Sequence, residues 1–166
     1  MAADLVDAVA RALGTQAPSV TREVALLGAE VARVDRAALA ARAGVPVDGL
    51  LRRYGDRAEE LVALIEAQPE LAEPLEGGGG HLCAEVVHAC THEGALRLED
   101  VLERRTRLAL TAHDRGLQAA ASTAALMAGA LGWDPERSRR EVGAWRARVA
   151  AARASEAEQD DASASR

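Results

Sequence analysis

Apolar residues recur at three- and four-residue spacings almost throughout this chain, and no sustained alternation of β-branched and polar positions interrupts them. That pattern predicts an all-α protein. Leu5, Val6, Val9 and Leu13 share one side of a short amphipathic helix over 4–13, ended by Gly14 and a Pro18-containing loop. Its stripe needs a partner. A second helix is expected over 30–43, stopped by Gly44 and Pro46, and a short third over 47–54, stopped by Gly55. Asp56 is placed to cap a fourth over 57–67, which ends before Pro69. The stretch from Pro69 through the run Gly77–Gly80 reads as a loop, and helices follow at roughly 81–95, 99–110, 118–131 and 135–154.

The last helix has the clearest start. Asp134 can accept a bond from an orphan backbone N–H, Pro135 suits the first helical position and Glu136 favours the positive end. Val142, Trp145 and Val149 form its buried stripe. From Ser155 the chain reads SEAEQDDASASR, acidic and without large apolar residues, so a disordered tail is expected over 155–166. The whole is read as one helical domain of about seven to eight helices with short loops.

Composition adds bounds rather than a function. At 166 residues the chain holds one domain with a proper core, and with 2% aromatic residues and no Phe, that core must be built from Ala, Leu and Val. All twenty basic residues are Arg. A net charge of −6 and a pI near 5.3 argue against nucleic acid, which is bound by clustered cations. No window approaches the ~20 apolar residues of a transmembrane segment, and the N-terminus carries no basic region followed by an apolar signal core. A cytoplasmic location follows, with Cys83 and Cys90 as free thiols.

Residues 81–94, HLCAEVVHACTHEG, hold both Cys, three of the four His and two Glu. Is this a metal site? Advancing about 100° per residue places Cys90, Val86 and Val87 near Cys83 on the apolar stripe, while Glu85, His88 and His92 fall on the opposite face. One helix cannot aim opposite faces at a single ion, which excludes a Cys2His2 zinc centre built from this helix alone. His88 and His92 share a face at a spacing used by paired helical ligands, but no further His-rich helix supplies the rest. The reading is two core Cys, with Glu85, His88 and His92 facing solvent or neighbouring helices. No metal ligand is assigned. The thiols lack the exposure and nearby positive charge of a nucleophile. His113, before Asp114, reads as a loop residue, and the Gly77–Gly80 run as a flexible connection. It has neither the strand nor the Lys-Ser/Thr ending of a phosphate loop.

The next segment, LEDVLERRTRLAL, places acids before Arg residues, which suits the helix dipole and permits Asp100–Arg104 and Glu103–Arg107 pairs. Arg104 and Arg105 could instead hold a phosphate or carboxylate in their planar forks. The preferred reading is structural: Glu85, Glu93, Asp100, Arg104 and Arg105 form an ion-pair network in which one Arg crosses to Glu85 or Glu93. Loss of that tie in Arg105→Leu would lower thermal stability.

AEVVHACTHEGALRLEDVLERRTRLAL resembles the C-terminal helical domain of bacterial FAD-dependent, aerobic glycerol-3-phosphate dehydrogenases, the glycerophosphate oxidase C-terminal family. LLRRYGDRAEELVALI is similar to that domain's Arg-Tyr-Gly segment, and LMAGALGWDPERSRREVGAW to its closing Leu-Gly-Trp helix pair. The resemblance covers about 20–153 and rests on Glu85, Glu93, Ala95, Glu99, Asp100, Leu102, Arg104, Arg105 and Thr106 in the family's order and spacing. Departures are local: Arg97 stands where a capping Thr is common, and Cys90, Thr91 and His92 replace an aliphatic and Arg neighbourhood.

The resemblance implies three segments. Residues 1–19 resemble the last helix and linker of a flavoprotein domain, which would make Met1 an internal start, 20–154 form the helical domain, and 155–166 the tail. It further implies an accessory or cap domain of an enzyme oxidising sn-glycerol 3-phosphate to dihydroxyacetone phosphate. The family's FAD and substrate residues lie in the flavoprotein domain, so no catalytic or cofactor-binding residue carries over and no cofactor is assigned to this chain. Its partner would be that flavoprotein domain, in cis or in trans, and the parent enzyme would at most touch the cytoplasmic face of a membrane. The competing reading is a freestanding helical interaction module of the same descent, inactive as an enzyme and able to form a homo-oligomer through an exposed apolar face.

Overall fold

A computed structural model describes residues 2–15 and 19–164. The loop expected at Pro18 and the last two residues of the acidic tail lie outside them. Eight α-helices follow one another among the described residues: α1 (Ala2–Ala12), α2 (Arg36–Ala43), α3 (Asp48–Tyr54), α4 (Ala58–Ala67), α5 (Cys83–His92), α6 (Leu108–Thr111), α7 (Ala120–Leu131) and α8 (Pro135–Ala164). Among the described residues there is no strand, only an isolated antiparallel bridge between Pro74 and Leu82. No helix among the described residues is long and apolar enough to cross a membrane.

Two apolar clusters form the body. The larger joins α5, α7 and α8 through Val86, Ala89, Leu98, Leu102, Ala120, Ala124, Met127, Trp145 and Val149. Ala89 of α5 and Ala120 and Ala124 of α7 belong to this cluster, and such small side chains let helix backbones approach closely. The smaller joins α2, α3 and α4 through Leu39, Val47, Leu50, Leu51, Leu61 and Val62. Ile65, Leu71 and Ala84 bridge the two, seating α4 against α5. Burial of each such Leu or Ile contributes about 1.5–3 kcal/mol, and these side chains are 0–3% exposed apart from Leu51 at 6%.

Three local boundaries differ from the sequence pattern, each for a visible reason. Asp35 accepts from the backbone N–H of Ala37 and Ala38, both at 3.0 Å, so α2 starts at Arg36 and the preceding residues form a separate 3-10 turn, Val31–Arg33. Asp56 does not cap α4; it lies in a 3-10 turn, Gly55–Arg57, with its Oδ1 buried and unpartnered. The expected helix over 99–110 is broken. Residues Asp100–Arg105 form a π-helical turn, Thr106 donates both its N–H (2.8 Å) and its hydroxyl (2.9 Å) to the Val101 carbonyl, and Arg107 adopts a left-handed φ of 58° before α6. At Arg97, where a capping Thr is common in the family, the Asp100 carboxylate reaches back instead and accepts from the N–H groups of Leu96 and Arg97 at 3.0 and 2.9 Å.

α8 starts as expected, with Asp134 accepting from the Arg137 N–H at 2.6 Å. It runs on through the acidic segment to Ala164, where Ala, Glu and Gln favour helix and no Gly or Pro intervenes. Residues 155–158 are exposed. At the other end α1 buries nothing: Leu5, Val6, Val9 and Leu13 are 50–78% exposed.

Candidate functional site

The polar face of α5 is buried except at its end, where His92 is exposed. Glu85 and His88 are both 0% exposed, pressed against the α3–α4 turn. A buried carboxylate is costly unless its lone pairs are filled, and here they are. Arg53, in the last turn of α3, donates Nε and one terminal nitrogen to the two Glu85 oxygens at 2.8 and 2.6 Å. Tyr54 donates its hydroxyl at 3.0 Å, and the Leu82 N–H donates at 2.9 Å from the start of α5. His81 Nδ1 lies 2.8 Å away, and because an ionised Glu85 only accepts, that nitrogen carries the proton. Burial works against the charge on Glu85, but the bonds from His81 and Arg53 outweigh it and hold the carboxyl below its usual range. Burial next to Glu85 pushes the Tyr54 hydroxyl upward, so it stays a donor.

One turn along, His88 Nε2 meets Glu60 of α4 at 2.7 Å, and Arg57 bonds the same carboxylate at 2.9 Å. The Arg57 bond is the chief reason Glu60 falls to about 2, with His88 adding to it against burial. His92 stacks on His88 with ring centroids 4.7 Å apart and planes 7° apart. Glu60 stands beside the His pair, and the three possible ligand atoms lie within 4.8 Å of one another. As placed, though, the lone pairs of two parallel rings do not converge on one point, and the Arg57 guanidinium sits on the carboxylate a cation would need.

Of the residues read as an ion-pair network, Arg105 reaches Glu93 by Nε at 3.3 Å and also donates to the Glu93 carbonyl at 2.6 Å. Arg104 bonds Asp100 and lies 3.6 Å from Glu99. Glu85 joins neither Arg: its cation is Arg53. Glu103 is paired with Arg148 of α8 at 2.8 Å rather than with Arg107. Cys90 is buried and Cys83 half-buried on the apolar side. Burial, with the Asp100 charge, pushes the Cys90 thiol up to about 11, and burial with Glu73 raises Cys83, so neither is a poised nucleophile. His113 is exposed in the turn before Asp114.

Sequence reasoning missed Arg53, Tyr54, His81, Glu60 and Arg57. His81 was within reach, one helical turn before Glu85 on the same face. The others come from a different helix pair, and no local count reveals them.

Beside this seam lies a cleft of about 640 Å³, lined by Arg53 and Tyr54, by Gly79 and His81, by Glu93, and by the 104–107 turn. Four arginines and one glutamate line it; Arg53 is already paired with Glu85, Arg104 with Asp100 and Glu99, and Arg105 with Glu93, which leaves Arg107 as the cation without a carboxylate partner among the described residues.

Comparison with known proteins places the chain in a family. Residues 19–138 match the family model of the C-terminal domain of alpha-glycerophosphate oxidase. The chain is 41% identical to a glycerol-3-phosphate dehydrogenase of Mycobacterium leprae, the match covering 99% of this chain and 29% of that protein. It is 39% identical to glycerol-3-phosphate dehydrogenase 2 of Mycobacterium bovis over the same shares, and 33% identical over 54% of this chain to a Synechocystis glycerol-3-phosphate dehydrogenase, 16% of whose length is covered. The chain thus spans about three-tenths of the length of its Mycobacterium relatives (29%). No solved structure matches. With the family model matched over most of the helical body, the chain belongs to the family of the C-terminal domain of alpha-glycerophosphate oxidase.

Proposed function

We propose that this chain acts as the helical cap of an FAD-dependent glycerol-3-phosphate dehydrogenase, docking on a flavoprotein domain in cis or in trans and inactive by itself. The observation that carries the reading is the uncovered face of α1. A stripe of Leu5, Val6, Val9 and Leu13, followed by exposed Val20, Val24, Leu26 and Leu27, is an apolar surface left open among the described residues. A flavoprotein domain preceding α1 would cover it. The names of the relatives and the small share of their length that this chain spans support the same reading. In this arrangement FAD and the oxidation of sn-glycerol 3-phosphate to dihydroxyacetone phosphate belong to the partner, in the cytoplasm, and this domain supplies a rigid helical wall.

The test mixes the purified chain with FAD, and separately with the flavoprotein portion of the M. leprae relative. No flavin should co-purify with the chain alone. A faster-sedimenting complex and a gain in dehydrogenase activity are expected with the flavoprotein portion. Flavin bound by the chain alone, or no complex at any concentration, would overturn the proposal. A freestanding interaction module would use the same exposed face and show itself as self-association that the flavoprotein portion does not compete away.

A further inference from the structure

Four arginines line the cleft beside the Glu85 seam, and they differ in how far their donors are spent. Arg53 uses Nε and one nitrogen of its fork on Glu85, so its other terminal nitrogen has no partner among the described residues. Arg105 likewise spends Nε and one terminal nitrogen on Glu93. Arg104 is held by Asp100 and Glu99. Arg107 pairs with nothing among the described residues. Its backbone has a positive φ of 58°, a strained conformation for a residue with a side chain, and the Thr111 hydroxyl fastens its carbonyl at 3.2 Å.

The opposite rim is the glycine run. Gly79 lines the cleft with φ +58°, and Gly80 follows with φ +89°. The N–H groups of Gly78 and His81 close the turn by bonding the Leu75 and Gly78 carbonyls at 2.8 and 3.0 Å. Those of Gly79 and Gly80 donate to nothing else in the described chain. Successive free N–H groups in a left-handed turn are suited to an anion, as are guanidinium forks fixed by carboxylates, here the buried Glu85 and the half-buried Glu93. The buried Glu85 therefore has a second effect: by anchoring Arg53 and His81 it fixes one wall of the cleft before any ligand arrives, which lowers the ordering cost of binding.

We propose that this cleft binds a small dianion of the phosphate class, a phosphomonoester or inorganic phosphate, between Arg53, Arg105 and Arg107 and the Gly79–Gly80 turn. A volume of about 640 Å³ exceeds a bare phosphate and suits a small phosphorylated metabolite. The site lies wholly within this domain and does not depend on the proposed flavoprotein partner.

The full chain is titrated calorimetrically with inorganic phosphate and with methyl phosphate, chloride holding ionic strength constant. One saturable site is expected, with Arg107→Gln weakening it at least about tenfold and Arg146→Gln, on the far α7–α8 surface, leaving it unchanged. Arg107→Gln keeps the backbone strain as it is and breaks no ion pair, so the fold is retained; circular dichroism checks this. Amide shifts on phosphate addition should centre on Gly79 and Gly80. No saturable heat with either probe, equal loss in both variants, or binding to phosphatidic acid vesicles without binding of free phosphate would overturn the proposal.

Discussion

Replacing Glu85 by Gln keeps the side chain's shape and removes its charge, so it isolates the work of the carboxylate. Five donor contacts reach its two oxygens at 2.6 to 3.0 Å, three of them from the donor-only groups of Arg53 and the Leu82 N–H. Turned toward Leu82, the Gln NH2 faces two N–H donors; turned toward Tyr54 and His81, it faces the Arg53 Nε and is accepted only if the hydroxyl rotates or the imidazole changes tautomer. Hydrogen bonds to charged groups contribute about 1.5–3 kcal/mol each, and removing one partner of a buried ion pair costs about 3–5 kcal/mol. The Arg53 side chain is 29% exposed, so water recovers part of its guanidinium, which points to the lower end, about 3 kcal/mol. For a domain of this size each kcal/mol moves the melting temperature by about 2–4 °C, giving a fall of about 6–12 °C at pH 7. Thermal unfolding followed by circular dichroism measures it. A fall under about 2 °C would refute the reasoning.

The pH dependence supplies an independent check with a definite sign. Glu85 is held below its ordinary value of 4.5 in the fold, so its stabilisation is complete above that value and is lost as pH falls through the lower, folded one. Gln has no such titration. The stability gap between wild type and Glu85→Gln should therefore be widest near neutrality and shrink below about pH 4.5. Glu60, lowered from 4.5 to about 2, adds acid sensitivity of the same sign, but it is present in both proteins and cancels in the difference. A gap that stays constant between pH 7 and pH 3 would show that the carboxylate's charge is not what stabilises the seam.

How much of this seam could be read from the chain depends on the distance between partners. Cys83, Val86 and Cys90 share one stripe because helical geometry fixes their angles, and the Asp134-Pro135-Glu136 start of α8 is a purely local signal. The other side of α5 is a different matter. The helical count correctly groups Glu85, His88 and His92, yet says nothing about what stands opposite them. That is Arg53 and Glu60, 32 and 28 positions away, delivered by the packing of α4 on α5. Likewise the break after Arg105 has no Gly or Pro to announce it; it follows from Thr106 closing a π turn on Val101 and from Arg107 accepting a strained φ. The family resemblance rested on residues that include Glu85 and the Arg-Tyr-Gly segment, but without the fold it could not say that they touch.

Two further perturbations probe the flanks of the seam. With Cys90 raised to about 11 and Cys83 also raised by burial, both thiols should react slowly with a disulfide reagent at pH 8 in the folded chain and rapidly in denaturant. A thiol reacting in the fold at the free-cysteine rate would contradict the inward placement of that stripe. Gly55→Ala tests the turn that delivers Arg53 and Tyr54. Gly55 has φ 62° and ψ −137°, a region that only glycine occupies readily, and an added Cβ would lie 1.8 Å from the Gly28 carbonyl oxygen. Backbone strain alone costs about 1–3 kcal/mol, and the close approach forces the 28–29 segment off the turn as well. The loss should exceed about 3 kcal/mol by urea unfolding, and because the displaced turn carries Arg53 with it, Gly55→Ala and Glu85→Gln should combine less than additively. Strict additivity would mean that the turn and the buried carboxylate are separate stabilising units, contrary to the geometry.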